Sequence, residues 1–178
     1  MAADAAGAVT DLFGGQDDLR RGVIRCVGDP AERFAEDALR MLRALRFAAR
    51  LSFRIDGETA AAIHAARIRL RAVAPERLHK ELSGILCGRQ AAALLEEFSD
   101  VLFELIPELA PCQGFRQYNP HHTRDVWTHT LAVVDGVPPE EALRLAALLH
   151  DAGKPATFFF DKNLVGHFYG HPAAGAAV

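Results

Sequence analysis

Apolar residues fall into helical spacing over most of the chain after residue 31. Phe34, Ala38, Met41, Leu42, Leu45 and Ala48 recur every three or four positions, which predicts one amphipathic helix over about 31–50. Phe53 and Ile55 read as a short extended link. Asp56 and Thr59 are the cap residues of a helix over 60–67. Pro75 opens another helix with Leu78, Leu82, Ile85 and Leu86 as its buried stripe and Gly88 as its end. Leu94, Leu95 and Phe98, then Leu102, Leu105, Ile106 and Leu109, continue the pattern to Pro111. Residues 112–122 read as a loop. Two further helices are predicted at about 123–135 and 139–151, the second stopped by Gly153 and Pro155. Residues 1–32 are punctuated by Gly14, Gly15, Gly22, Gly28 and Pro30 and read as irregular. Phe158 to Phe160 begins another element, and the alanine-rich end reads as an interrupted helix. The expected fold class is all-α.

Composition narrows this picture. Half of the 178 residues are hydrophobic, enough for one or two packed cores. The net charge is −3, so any nucleic-acid partner must be held by a local basic patch. Cys26, Cys87 and Cys112 are isolated, with no CxxC pair to suggest a zinc ribbon or a redox motif, and their sparse use fits a reducing cytoplasm. No apolar run approaches the roughly 20 residues of a membrane helix, and the start of the chain has no signal-like segment. A soluble cytoplasmic protein without membrane contact is expected.

Two constellations carry chemistry. The first is Arg33-Phe34-Ala35-Glu36-Asp37-Ala38-Leu39-Arg40, with Arg43 following. On a continuous helix Arg33, Asp37 and Arg40 share a face. One reading is a solvated lattice of ion pairs. The other uses base-edge geometry: a carboxylate accepts from the exocyclic amine of cytosine or adenine while a guanidinium donates to the neighbouring ring nitrogen or carbonyl. Such a pair accepts C and A and rejects G and U. The second constellation is His129, His150, Asp151, His167 and His171, with His121 and His122 upstream. Imidazole and carboxylate suit a divalent transition metal (Mn, Ni, Zn or Fe). The plainer reading of a histidine at a helix end is a C-terminal cap. Arg40, Arg43, Arg46, Arg50, Arg54, Arg67, Arg69 and Arg71 are locally dense and suit phosphate contacts, or else cover apolar neighbours with their stems.

An ordered series of short matches extends the first constellation. Asp11-Leu12-Phe13-Gly14-Gly15, Asp18-Leu19, Ile24-Arg25-Cys26-Val27-Gly28, the Glu36-Asp37-x-x-Arg40 stretch, Leu51-x-Phe53-x-Ile55 and Pro75-Glu76-Arg77-x-x-x-Glu81-Leu82 together resemble the neck of class II tRNA nucleotidyltransferases, the CCA-adding enzymes and their poly(A) polymerase relatives. The resemblance implies that Asp37 and Arg40 template incoming CTP and ATP, assisted by Glu36, Arg43 and Arg33. It implies that the stretch from Arg77 to Glu81 braces the template helix, and that the partners are Mg²⁺, the two nucleotides and the acceptor end of tRNA.

In that family the metal-binding carboxylates sit on a head that precedes Asp11. No Asp-x-Asp pair occurs here, and residues Met1 to Asp4 resemble the segment just after the head. The chain alone is therefore expected to be incompetent for nucleotidyl transfer and to start within its parent.

His122-x-x-Asp125-Val126-x-x-His129, Leu148-Leu149-His150-Asp151-Ala152-Gly153-Lys154-Pro155 and Phe168-x-Gly170-His171 resemble the HD phosphohydrolase domain that follows the neck in bacterial members. That resemblance implies a metal on His129, His150 and Asp151, with His171 and His167 as added ligands and Lys154 on phosphate. A last aspartate of such sites is not among the 178 residues. The expected organisation is a linker over 1–30, a nucleotide-selecting and RNA-binding neck over 31–111 and a truncated HD domain over 112–178. Two other readings stay open: a stand-alone HD phosphohydrolase, and a non-catalytic RNA-binding fragment.

Overall fold

The computed structural model describes every residue except Met1, Asp4, Ala6, Ala8, Pro120, His121, His122 and Val178. The expectations placed on Met1, Asp4, His121 and His122 lie outside the described residues. The chain is mostly helical, as its patterning predicts, and forms two compact units, 1–90 and 91–178.

The first unit begins with β1 (Ala2–Ala3) and β2 (Val9–Thr10), an antiparallel pair. Asp11 then accepts from the amides of Gly15 and Gln16 at 2.9 and 2.7 Å, which starts α1 (Gly15–Arg21) and holds the Asp11 carboxyl below its ordinary pKa. β3 (Val23–Ile24) pairs in parallel with β4 (Arg54–Ile55). The helix predicted over 31–50 is two helices, α2 (Pro30–Glu36) and α3 (Leu39–Leu51). Asp37 breaks them apart: its backbone is extended (φ −149°, ψ 102°) and its carboxylate accepts from the Leu39 amide at 3.1 Å. This Asx turn competes locally with the helical hydrogen bond, which is why aspartate is poor inside helices and common at their ends. Below lie α4 (Gly57–Ala66), capped by Asp56, a 3-10 helix (Arg67–Ala72) and α5 (Pro75–Leu86), with Pro75 in its first turn.

The core of this unit is the α3–α5 contact. Leu39, Met41, Leu42, Leu45 and Ala48 face Leu82, Ile85 and Leu86, all buried. Each such side chain contributes about 1.5–3 kcal/mol when fully removed from water. Two glycines set how closely the helices approach. A Cβ on Gly84 would collide with Cδ and Cγ of Arg46, and one on Gly88 with Cβ and the carbonyl of Ala49.

The second unit packs α8 (Val126–Gly136) against α6 (Ala91–Glu97) and α9 (Glu141–Leu149). Between α6 and α8 run α7 (Ser99–Leu105) and a 3-10 helix (Pro107–Cys112). Because α6 finds its apolar partner in α8, packing divides the chain after Gln90, earlier than the division near Pro111 read from the sequence. Then follow α10 (Lys154–Thr157), the antiparallel hairpin β5 (Phe159–Phe160) and β6 (Gly166–His167), and α11 (His171–Ala176). Among the described residues no helix is long and apolar enough to cross a membrane.

Replacing Gly88 with alanine is expected to cost more stability than replacing Gly84, since the obstacle at Gly88 includes backbone, whereas Arg46 can swing aside at the loss of its ion pair. Overpacking of this kind costs about 1–3 kcal/mol, read by urea denaturation, and the Gly84→Ala cost shrinks in an Arg46→Ala background. Burial pushes the Cys112 thiol up to about 11. It is therefore expected to resist iodoacetamide at pH 8 and to react only on unfolding, as followed by mass spectrometry of alkylated peptides.

Candidate functional sites

The break at Asp37 organises the first site. Glu36, the last residue of α2, accepts from Arg33 Nη1 at 2.7 Å and from Arg40 Nη1 at 2.6 Å, so it bridges the two helices. The Arg40 hydrogen bond, with help from Arg33, holds the Glu36 carboxyl below its ordinary pKa. Arg40 Nη1 also donates to the Arg33 carbonyl at 3.0 Å. That carbonyl belongs to the last turn of α2, where oxygens lack helical partners and attract cations. Asp37 is held from the other side by Arg77 of α5, at 3.2 Å.

The sequence placed Asp37 and Arg40 one turn apart on a continuous helix. Instead they flank a junction, and Arg33 is bridged to Arg40 through Glu36. Both side chains stay accessible, at 27% and 31% of their surface. Arg40 uses only Nη1 in these contacts, which leaves Nη2 and Nε as donors.

Arg43 is half-exposed and leans on Glu81 at 3.5 Å, while Arg46 meets the same carboxylate at 2.6 Å. Glu81 itself is buried. The dense arginine run thus divides: two guanidinia turn inward to satisfy one carboxylate, and Arg50, Arg54, Arg69 and Arg71 are exposed. A cavity of about 520 Å³ opens in this unit between the Asp11 loop, Arg25 to Gly28 and the Phe47–Leu51 side of α3; neither Asp37 nor Arg40 lines it.

The second site is assembled by short elements of the second unit. Asp125 caps α8, accepting from Thr128 N at 2.7 Å and Thr128 Oγ1 at 3.0 Å, and this sets His129 one turn into the helix. α9 ends at His150. The turn after it carries Asp151, buried to 2% exposure. His129, His150 and Asp151 each offer a ligand atom within 4.8 Å of the others. His150 Nε2 lies 3.1 Å and His129 Nε2 3.7 Å from Asp151 Oδ2, and His171 Nε2 lies 3.5 Å from Oδ1.

Nδ1 of His150 contacts the Ala147 carbonyl at 2.7 Å, and Nδ1 of His171 contacts the Phe168 carbonyl at 2.8 Å. A carbonyl only accepts, so both Nδ1 atoms carry the proton and both Nε2 atoms turn toward the carboxylate. The Asp151 contact raises the His150 pKa, in spite of burial. Burial pushes Asp151 up, but His150 and Lys154 outweigh it and bring the carboxyl down to about 2. Asp151 Oδ2 is thus fully buried among close polar neighbours, Lys154 at 2.7 Å and His150 at 3.1 Å. A buried carboxylate with three imidazoles turned toward it, two of them held at Nδ1 by carbonyls, is chemically suited to a divalent cation.

Two expected site residues are placed otherwise. His167 Nε2 is engaged by Asp161 at 3.0 Å and does not join the cluster, because β6 turns it onto the hairpin face. Lys154 is buried, its ammonium 2.7 Å from Asp151 Oδ2 and 2.9 Å from Gln117 Oε1. It is an internal counter-charge to Asp151, not a surface phosphate contact. Sequence reading took Gly153 only as a helix stop. A Cβ there would collide with the His171 carbonyl and the Gly175 amide, so its absence is what admits α11 and brings His171 to Asp151.

Comparison with known proteins agrees with the motifs. Residues 52–112 match a family described as the probable RNA and SrmB-binding site of polymerase A. A multifunctional CCA protein of Nitrosococcus oceani is 37% identical over 186 residues, covering 100% of this chain and 44% of that protein. The CCA-adding enzyme of Bacillus stearothermophilus in complex with CTP superposes with a TM-score of 0.56 at 30% identity, over 82% of this chain and 38% of that one. A tRNA nucleotidyltransferase complexed with a primer tRNA and an incoming ATP analogue gives a TM-score of 0.50 at 29% identity, over 72% and 42%. The chain spans less than half the length of the curated relatives it matches. On these matches the chain belongs with the class II CCA-adding enzymes, over the stretch of them that it spans.

Proposed function

We propose that this chain supplies the base-selecting surface and part of the RNA-binding surface of a tRNA nucleotidyltransferase that adds C and A to the 3′ end of tRNA. The observation that carries the reading is the accessible Asp37 and Arg40 pair at the α2–α3 junction, each fixed by a second partner. Asp37 accepts from the exocyclic amine of cytosine or adenine, and Arg40 donates through the nitrogens its internal contacts leave over. Glu36 and Arg33 orient Arg40. Arg43 acts through Glu81, which it shares with Arg46, to fix α3.

The relatives' CTP, ATP-analogue and primer-tRNA complexes, and the polymerase RNA-binding match over 52–112, support this assignment. Exposed Arg54, Arg69 and Arg71 fall within that match and suit phosphate contacts. The 178 residues hold no Asp-x-Asp pair for the two Mg²⁺ ions of nucleotidyl transfer, so the chemistry depends on carboxylates supplied from elsewhere.

A second activity is favoured by the His129, His150 and Asp151 cluster. These side chains fit an HD-type metal-dependent phosphohydrolase, with His171 beside the second carboxylate oxygen. A divalent ion held there supplies Lewis acidity toward a phosphoryl group. Ala147 and Phe168 carbonyls fix the imidazole tautomers, and Lys154 keeps Asp151 ionised.

In the intact enzyme carrying these residues, Asp37→Ala and Arg40→Ala are each expected to lower kcat/KM for CTP and ATP by about ten- to a hundredfold and to narrow discrimination against UTP and GTP. Steady-state CMP and AMP incorporation checks this; unchanged discrimination defeats the template assignment. The purified chain itself is expected to bind tRNA with an affinity that falls steeply across a salt series, and to incorporate no CMP.

For the second activity, mass-spectrometric metal analysis of the purified chain is expected to find a transition metal that His129→Ala and His150→Ala release and His167→Ala retains. Equal loss in all three variants, or no metal after dialysis against Mn²⁺, Ni²⁺ or Zn²⁺, rejects the cluster as a metal site.

A further inference from the structure

The β5–β6 hairpin carries aromatic side chains on both faces, and the two faces are used differently. Phe158, Phe160 and Phe168 share one face by strand alternation and pack against Phe115 and Tyr118, with centroid separations of 4.9–6.4 Å. That face is an aromatic core. The other face carries Phe159, its cross-strand partner His167, and Tyr169 two residues on. Phe159 and His167 stack at 5.5 Å with planes 29° apart, and His167 and Tyr169 at 5.2 Å with planes 25° apart. Edge-on packing dominates the inner face, whereas the outer one is a short ladder with two near-parallel steps, closed by Phe159 and Tyr169, whose rings lie 5.5 Å apart with planes tilted by 51°. Tyr169 is 74% exposed and Phe159 42%.

The ladder is rigidly mounted. Asp161 accepts from the amides of Asn163 and Val165 at 2.8 and 3.0 Å, which closes the turn, and its other oxygen holds His167. Gly166 donates its amide to the Tyr118 carbonyl at 2.8 Å; a Cβ there would strike the Gln117 carbonyl. The hairpin therefore cannot lift without breaking this close approach.

A cavity of about 410 Å³ opens beside the ladder, within the size range of small-molecule sites. Tyr169 and His167 form part of its wall. Asn119, Lys154 and His171 contribute its polar lining, and among the described residues no carboxylate-bearing one lines it. His171 is the residue whose Nε2 lies 3.5 Å from Asp151. One opening thus joins an exposed aromatic surface, a polar lining and the flank of the His/Asp cluster.

We propose that Phe159, His167 and Tyr169 form a stacking platform for an unpaired nucleobase, and that the nucleotide it holds, free or at an RNA 3′ end, directs its phosphoryl group into the cavity toward His171. Exposed aromatic rings favour a planar partner, and aromatic side chains that stack bases do so with little regard to sequence. The polar lining of the cavity disfavours a purely apolar occupant. The role of the nucleotide as substrate rests on the phosphohydrolase reading above; the stacking does not.

The test is calorimetric titration of the whole chain with adenosine 3′-monophosphate, uridine 3′-monophosphate and ribose 5-phosphate in the presence of EDTA, with metal content measured on parallel untreated samples. Both nucleotides are expected to bind and the base-free sugar phosphate to bind more weakly. Tyr169→Ala is expected to weaken nucleotide binding by about fivefold to a hundredfold without affecting ribose 5-phosphate, and Tyr169→Phe to restore it. Tyr169 is exposed enough for either variant to fold, which thermal denaturation checks.

Photocrosslinking with 5-iodouridine, as the mononucleotide and at the 3′ end of an oligonucleotide, separates the two sources; a crosslink to Tyr169 or His167 from either one supports the platform. Equal affinity of the parent and Tyr169→Ala chains overturns it. So does a dimer in sedimentation velocity that Tyr169→Ala dissolves, since the ladder would then be a self-association face. Metal retained with no base-dependent binding sinks the platform alone; base-dependent binding without metal sinks the phosphohydrolase reading alone.

Discussion

A carboxylate taken out of water must find positive charge, and two such groups organise the two units of this chain. Glu81 is buried on α5 and draws Arg43 and Arg46 from α3 onto itself. Asp151 is buried after α9 and gathers Lys154, His150, His129 and His171. The desolvation penalty of an isolated ion is several kcal/mol, so neither carboxylate is compatible with the fold unless its partners are in place. The consequence is geometric as much as energetic. Glu81 fixes the rotation of α3, which presents Arg40. Asp151 fixes a point on which imidazoles from α8, the end of α9 and the start of α11 converge.

The glycines make this convergence sterically feasible. Gly84 leaves the space through which the Arg46 stem runs to Glu81, and Gly153 leaves the space into which α11 brings His171. Neither role needs an unusual backbone angle, so neither is a turn signal. In each case the cause is the absence of a side chain opposite another element, and a linear sequence does not record which element lies opposite. Sequence reading grouped His129, His150, Asp151 and His171 by type and spacing, but it assigned Lys154 to phosphate, did not pair Glu81 with Arg43 and Arg46, and read Gly153 as a stop.

Other differences have the same character. Helical periodicity runs straight through Asp37, because Phe34 and Leu42 fall on a common apolar stripe whether or not the backbone is continuous. The break comes from the competing side-chain bond to the Leu39 amide, which periodicity does not weigh. His167 and His171 are equivalent as sequence, both imidazoles next to a glycine, but one sits on a strand face and the other starts a helix. Lys154 follows Asp151 by three residues; in a tight turn that spacing returns the ammonium to the carboxylate and removes it from solvent. What was legible was the helical class, the cap residue Asp56, and the membership of the His129, His150 and Asp151 group. Contacts that depend on which face a turn presents were not.

The break at Asp37 also changes the meaning of the template stretch. On an unbroken helix, Asp37 and Arg40 would be oriented by backbone alone, and their side chains would be free to reach each other. Here Asp37 is tied to Arg77 and to the Leu39 amide, while Arg40 is tied to Glu36 and to a carbonyl at the open end of α2. Each member is satisfied by something other than its neighbour. Two groups that neutralised each other would have to be separated before they could read a base edge, at the cost of an ion pair. Groups anchored independently keep their remaining lone pairs and N–H bonds available, so under the proposed base-reading role the surface is organised before a base arrives, and little ordering is left for the base to impose.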